Sequence, residues 1–339
     1  MEKKMVILGI ETSCDDTSAS VLEDGKILSS IVSTQMVHIK HGGVIPELAS
    51  RAHQKNVIPV IKQALVESGK TLDDIDAVGV TYGPGLIGAL LVGVNTAKGL
   101  SIGRNIPLIK VNHIEGHIFA NFIENEDLIP PFTVLVVSGG HTELIHIESY
   151  EDYKLLGKTR DDAAGECIDK VSKMLGLGFP GGRIIDELAK KGDKKFHKFP
   201  RGMSNSLDFS FSGLKTAVKV YIEKHDKEFI KENMENICAS FLESVVDSLS
   251  SKLVKAAILS NSKRVVIAGG VSANSRLREI LTQRCLKKGI KVFYSSPKYC
   301  TDNAAMIAYT AYKKYQLYRE DSFSNTLDFD AIPGLRLAK

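Results

Sequence analysis

The chain has 339 residues, 43% of them hydrophobic and 25% charged, with a formal charge of +4 and no low-complexity tract. That length exceeds what one hydrophobic core supports and predicts two lobes, and the composition excludes a disordered or fibrous chain. Its longest apolar stretches, such as 132–137, are strand-length and far short of the ~20 residues a membrane span needs, and the basic start at 1–5 runs directly into a strand pattern. The expected location is therefore cytoplasmic, with no membrane association.

In chain order, residues 5–11 are rich in Val, Ile and Leu and read as a strand buried on both faces. Asp24 and Gly25, between apolar runs at 18–22 and 27–33, signal a tight hairpin. A helical stretch at 46–68, a strand at 77–81, a helix at 86–102, a strand at 107–111 and a helix from about His113 complete a βββαβαβα order. The second half repeats it, with strands at 132–138, 142–147 and 153–157, a helix at 162–175, a strand at 265–268, a helix at 273–288, a strand at 291–294 and a last helix at 301–318. A mostly helical insertion at about 183–260 interrupts the repeat. The expected division is one lobe over 1–125 and a second over 126–339. Two copies of one unit imply duplication and a nucleotide cleft between similar lobes. That is the α/β, actin-like, ribonuclease H-like architecture of actin, hexokinase and the heat-shock chaperone ATPases (ASKHA).

Small and polar turns end the first strand of each half, at 9–16 and 137–142, and a third glycine turn lies at 268–274. Such turns let backbone amides converge on phosphate oxygens, so matched turns in the two halves point to a bound nucleotide. The G-x-G-x-x-G at 83–88 lacks the acidic residue some twenty positions on that would hold a ribose, and that at 176–181 closes a helix. No P-loop sequence is present. The five cysteines contain no C-x-x-C pair, so neither a disulfide framework nor a thiolate zinc site is expected. A basic run at 190–201 permits a polyanionic partner without demonstrating one.

His113 and His117 stand at i and i+4 at the start of a helix and share one face, the geometry for capturing a divalent ion from two sides. Glu115 projects about 200° around the helix from His113, away from that face, so the zincin arrangement is not met.

Seven ordered motifs carry a resemblance: HIEGH at 113–117, VSGGHT at 137–142, DDAAGE at 161–166, PGG at 180–182, FSFSGLKT at 209–216, GGVSAN at 269–274 and CTDNAAMIA at 300–308. Together they resemble the TsaD family, bacterial tRNA N6-adenosine threonylcarbamoyltransferases once labelled glycoproteases. The likeness runs from about Val6 to Tyr312. It implies a metal site of His113, His117 and Asp302, holding Fe2+ or else Zn2+ or Mn2+. It also implies that Val136, Val137, Ser138, Gly139, Gly140, Asp169, Gly182, Asp186 and Asn274 bind the substrate adenylate, threonylcarbamoyl-AMP or ATP occupying the nucleotide site. The implied reaction moves the threonylcarbamoyl group to N6 of the adenosine beside the anticodon in tRNAs reading codons that begin with A. For the base that takes the amine proton, Glu11, Asp15 and Asp16 are candidates by position. The implied partners are tRNA, the paralogous actin-like protein TsaB, expected on the helix at 46–68, and the small P-loop ATPase TsaE. The duplicated fold further predicts that Asp302 reaches the histidines from the second lobe and ties the lobes through the ion, the alternative being that Asp302 only caps its helix. A small-molecule kinase, which would have no use for the histidine pair, and a nucleotide-gated binding module, which would bind ATP and tRNA without chemistry, are the rival readings. A zinc peptidase would need a base beside the histidines, where Glu115 does not lie.

Overall fold

The computed structural model describes residues 4–318 and 327–338. The chain separates into two compact units, 1–126 with 301–337, and 127–300 with the last two residues.

The first unit opens with β1 (Val6–Glu11), β2 (Asp16–Glu23) and β3 (Lys26–Thr34), an antiparallel meander. Asp24 and Gly25 both take positive φ, 45° and 80°, as a tight hairpin turn demands. Next come α1 (Pro46–Ser68), β4 (Ala77–Gly83), α2 (Ile87–Arg104), β5 (Leu108–Asn112) and the short α3 (His113–Phe119). Strand order is β3-β2-β1-β4-β5, with β4 parallel to β1 and β5 parallel to β4. β1 is buried at every position, as its unbroken apolar run requires.

In the second unit, β6 (Phe132–Val137), β7 (Thr142–Ser149) and β8 (Asp152–Lys158) form the meander. They are followed by α4 (Ala164–Met174), α5 (Gly182–Ala189), α6 (Ser212–Glu223), α7 (Lys227–Glu232) and α8 (Met234–Leu259). β9 (Arg264–Ala268), α9 (Ser275–Leu286) and β10 (Lys291–Tyr294) close it. Its sheet order, β10-β9-β6-β7-β8, repeats that of the first sheet strand for strand. The interposed segment is less helical than expected, because 190–211 is irregular. Buried Lys252 of α8 holds part of that irregular stretch by donating to the carbonyls of Gly202 (3.2 Å) and Met203 (2.9 Å), and to that of Asp208.

The last helix, α10 (Ala304–Tyr318), departs from the expectation. It packs on β1, β2, β4 and α3, within the first unit. The cause is a trough of small residues. Gly9 and Gly79 are register partners on β1 and β4. A Cβ on Gly9 would lie 2.5 Å from the Ala304 carbonyl oxygen, and one on Gly79 would lie 2.6 Å from Ala311 Cβ. Glycine in a strand interior permits this close approach, and alanines on the facing helix exploit it. The first unit is therefore discontinuous in sequence.

Candidate functional site

The first cluster grows from the end of β5. The Asn112 side-chain oxygen accepts from the backbone N–H of Ile114 (2.8 Å) and of Glu115 (3.3 Å), which starts α3 at His113. His113 and His117 then stand one turn apart, with ring centroids 4.7 Å from one another. Asp302 arrives just before α10, and its Oδ1 lies 3.1 Å from His117 Nε2 and 3.6 Å from His113 Nε2. The capping bond of α10 comes from the neighbouring residue, since Asn303 Oδ1 accepts from Met306 N at 3.0 Å. All three residues belong to the first unit, so the predicted tie between lobes through Asp302 is not found; the cause is the docking of α10 on the glycine trough. Glu115 points elsewhere and pairs with Lys314 of α10 at 2.6 Å.

One ligand atom from each of His113, His117 and Asp302 lies within 4.8 Å of the others. Both ring nitrogens of His117 are buried without a hydrogen-bond partner, a costly state for an imidazole. A divalent ion among the three would satisfy Nε2, and two imidazoles with one carboxylate are donors that iron, zinc and manganese all accept. The residues present fit a metal.

The three acidic candidates separate. Glu11 is fully buried. Its carboxylate accepts from Ser13 N (2.5 Å) and Thr81 Oγ1 (2.5 Å) and lies 3.2 Å from His113 Nδ1. Burial pushes its pKa up, but the His113 charge and hydrogen bond prevail and hold it below the usual carboxylate value. The expectation that Glu11 takes a proton from an external amine is therefore not met, because its oxygens are committed inside the protein. Burial opposes a charge on His113 too, yet the carboxylates of Asp302 and Glu11 raise it to about 9. Asp15 stands half-buried in the turn after β1. Asp16, also half-buried, keeps one oxygen buried without a hydrogen bond. Burial raises Asp16 to about 6; a hydrogen bond with Thr34 opposes this, and the charges of Asp302, Asp15 and Glu11 add to it.

The second cluster lies in the second unit. Val136 and Val137 point into the core, leaving only backbone for a ligand, and β6 ends in the turn Ser138, Gly139, Gly140, His141. Ser138 N donates to the His141 carbonyl (2.9 Å) and His141 N to Ser138 Oγ (3.1 Å), while the positions a Cβ would take on Gly139 and Gly140 are open space. α4 begins against this turn, with Gly165 N donating to the Ser138 carbonyl at 3.2 Å. Further along α4, Asp169 Oδ1 accepts from Gly181 N at 2.7 Å, next to Gly182 at the start of α5. Burial raises Asp169 despite that bond. Asp186 of α5 meets Asn274, whose Nδ2 donates to Asp186 Oδ1 at 2.9 Å while its Oδ1 caps α9 by accepting from Leu277 N at 2.9 Å. Beside this pair opens a cavity of about 340 Å³ that Lys190, Glu243 and Arg276 help to line. By contrast, the loop at 83–88 is occupied by the chain itself: Gly85 N donates to the Pro333 carbonyl (3.1 Å) and Leu86 N to that of Ser13 (2.8 Å).

Three contributors escaped the sequence reading. Ser13 Oγ lies 3.1 Å from His113 Nδ1, and Thr81 steadies Glu11. Asp161 Oδ1 accepts from Phe211 N (2.7 Å) and Ser212 N (3.3 Å), joining the DDAAGE and FSFSGLKT motifs. Both motifs were visible, but nothing in their spacing shows that they touch.

The two matching sheets and this chemistry define a class: a duplicated, two-lobed α/β protein of the actin-like ASKHA fold, with a candidate metal cluster. Solved structures share the fold. Full-length HypF, in a phosphate- and nucleotide-bound form, aligns over 95% of this chain and 48% of its own with a TM-score of 0.62 at 14% identity. Component A of (R)-2-hydroxyglutaryl-CoA dehydratase from Acidaminococcus fermentans aligns over 92% of this chain and 99% of its own with a TM-score of 0.57 at 18% identity. The profile of the TsaD family, tRNA N6-adenosine threonylcarbamoyltransferase, matches residues 26–309. A protein so named from Clostridium beijerinckii is 51% identical over 343 aligned positions that cover 100% of both chains. The chain belongs to the TsaD family of tRNA-modifying transferases.

Proposed function

We propose that this protein transfers a threonylcarbamoyl group from threonylcarbamoyl-AMP to N6 of the adenosine beside the anticodon of tRNA. The observation that carries the reading is the convergence of His113, His117 and Asp302, with His117 buried and neither of its ring nitrogens hydrogen-bonded, in a chain of this family. These three residues would hold the ion, and Fe2+ suits two histidines and a carboxylate with open positions. When bound, the ion supplies Lewis acidity for a carbonyl oxygen. The adenylate falls to the second unit. Backbone of Val136, Val137, Ser138, Gly139 and Gly140 offers room for phosphate, Asp169 fixes the strand of backbone at Gly181 and Gly182, and Asp186 with Asn274 presents polar groups to a ribose. The cavity beside them falls within the ~300–1,000 Å³ range of small-ligand sites. Asp16, half-buried at the start of β2 with one oxygen making no hydrogen bond, is the proton acceptor for the N6 amine. Asp15 adds negative charge beside it.

The physiological assembly includes TsaB on α1 and TsaE, with exposed apolar Ile58 and Val66 on α1 as support for the first contact. No described helix is long and apolar enough to cross a membrane. The deciding experiment incubates the purified protein and these partners with synthetic threonylcarbamoyl-AMP and unmodified tRNA, then analyses the nucleosides. Formation of the N6-threonylcarbamoyl nucleoside, lost in Asp16→Asn, is expected. AMP release with no modified nucleoside, whatever the partner set, would refute transfer.

A further inference from the structure

Glu11 ends β1 and is wholly buried, and Thr81 of β4 donates to the same oxygen that faces His113 Nδ1. The other oxygen is held by Ser13 N. A carboxylate locked by a neighbouring strand and its own turn cannot swing, so whatever touches it is oriented by the sheet. What touches it is the Nδ1 edge of His113, and the opposite edge, Nε2, faces Asp302 at 3.6 Å.

The geometry points to Glu11 as a positioning residue that fixes the tautomer and ring orientation of His113, keeping the proton on Nδ1 and the lone pair on Nε2 aimed at His117 and Asp302. This rests on the metal reading of those three residues. A carboxylate on the far nitrogen of a ligating imidazole selects the tautomer, sets the ring plane and raises donor strength. The alternative role is purely structural, a tie between β1 and β4 through Thr81. Ser13 Oγ, at 3.1 Å from Nδ1, is a weaker neutral partner for the same edge.

Two variants separate the roles. In Glu11→Gln the shape is kept, but the carboxamide has one oxygen for the two places where donors arrive. Either its NH2 opposes Ser13 N–H, or it faces Thr81 and His113 Nδ1, where it calls for a lone pair and drives the ring proton to Nε2. Thr81→Val cuts the strand tie and leaves the carboxylate on His113. Zn2+ and Co2+ affinities are measured on folded protein by competition with a chelator, and the His113 imidazole of the Zn2+-loaded protein is followed by 15N NMR. The expectation for Glu11→Gln is an affinity loss of about 10–100-fold, as for other outer-shell changes. For Thr81→Val it is a lower Tm with affinity little changed. The wild-type spectrum should show Nδ1 protonated and Nε2 ligated. Equal affinity for Glu11→Gln and wild type, or a wild-type ring ligated through Nδ1, overturns the assignment while sparing the metal site. Failure of the wild type to bind either ion overturns the metal reading and this one with it. Should Glu11→Gln not fold, the wild-type spectrum decides alone.

Discussion

Replacing Asp302 with asparagine tests the metal cluster with little collateral damage. Asp302 Oδ1 sits 3.1 and 3.6 Å from the two imidazole Nε2 atoms, and α10 takes its capping bond from Asn303, so the substitution removes a ligand while leaving the helix start intact. Outer-shell changes already weaken metal binding by about 10–100-fold, so loss of a direct anionic ligand should cost at least ~100-fold. Metal at about 100 times the wild-type Kd stabilises that protein by about 2.7 kcal/mol, and the same concentration, then near the Kd of the variant, stabilises the variant by only about 0.4 kcal/mol. At roughly 2–4 °C per kcal/mol, metal should raise the wild-type Tm by about 5–10 °C and that of Asp302→Asn by about 1 °C. Thermal scans with and without Zn2+, paired with metal analysis of protein purified without air or chelator, read this directly. Metal-free Tm values should agree within a few degrees. A variant that keeps stoichiometric metal and the full thermal shift would show that the third ligand lies elsewhere.

Three other outcomes follow from particular contacts. Lys194 and Lys195 are exposed in the 190–201 run; if they meet phosphates, reversing both charges should weaken tRNA binding and flatten its log–log salt slope by about 1.4–1.8, and because Lys194 also lines the cavity beside Asp186, reversal of Lys195 alone is the change that should leave adenylate affinity unchanged, whereas an unaltered salt series assigns them to solvent. Ile58→Asp, on the exposed face of α1, should reduce co-purification with TsaB without lowering the Tm of the isolated protein; undiminished association removes α1 from that contact. Asp247 of α8 pairs with Arg201 (2.9 Å) and Arg284; burial works to raise its pKa, but the two guanidiniums hold it below 3.8. Its stabilisation is present above the unfolded value and disappears as pH falls through the folded one, so the Tm gap between wild type and Asp247→Asn should be widest near neutrality and close in acid. A gap independent of pH would mean that packing, not charge, is what the variant loses.

Local pattern carried the elements a long way. The Asp24 and Gly25 hairpin, the buried runs of β1 and β6, and the histidines sharing one face of α3 all follow from period, turn chemistry and capping, which act between near neighbours in sequence. The helix at the end of the chain was also legible, but its docking partner was not, because periodicity reports which face is apolar and says nothing of which sheet receives it. A signal did exist: Gly9 and Gly79 in two strand interiors, and alanines at 304, 308 and 311 spaced along one helical face. Pairing them requires the register of β1 with β4, which only the folded sheet supplies. Glu11 misled for a related reason. Its position at the end of β1 suggested reach toward substrate, whereas the parallel pairing of β1 with β4 sets it beside Thr81 and its carboxylate faces Thr81 and His113.

The discontinuity of the first unit also governs when the site can exist. A ribosome delivers β1 through α3 early, then the whole second unit, and only afterwards the stretch from 301 to 337 that completes the first. Until α10 emerges, the glycine trough on β1 and β4 has no cover, and His113 and His117 wait without their carboxylate. Closure of the first unit is a late, long-range contact, the slow kind in folding. A chain cut short before residue 302 can build most of both sheets yet cannot assemble the three ligands, so the cluster reports that synthesis has passed that residue.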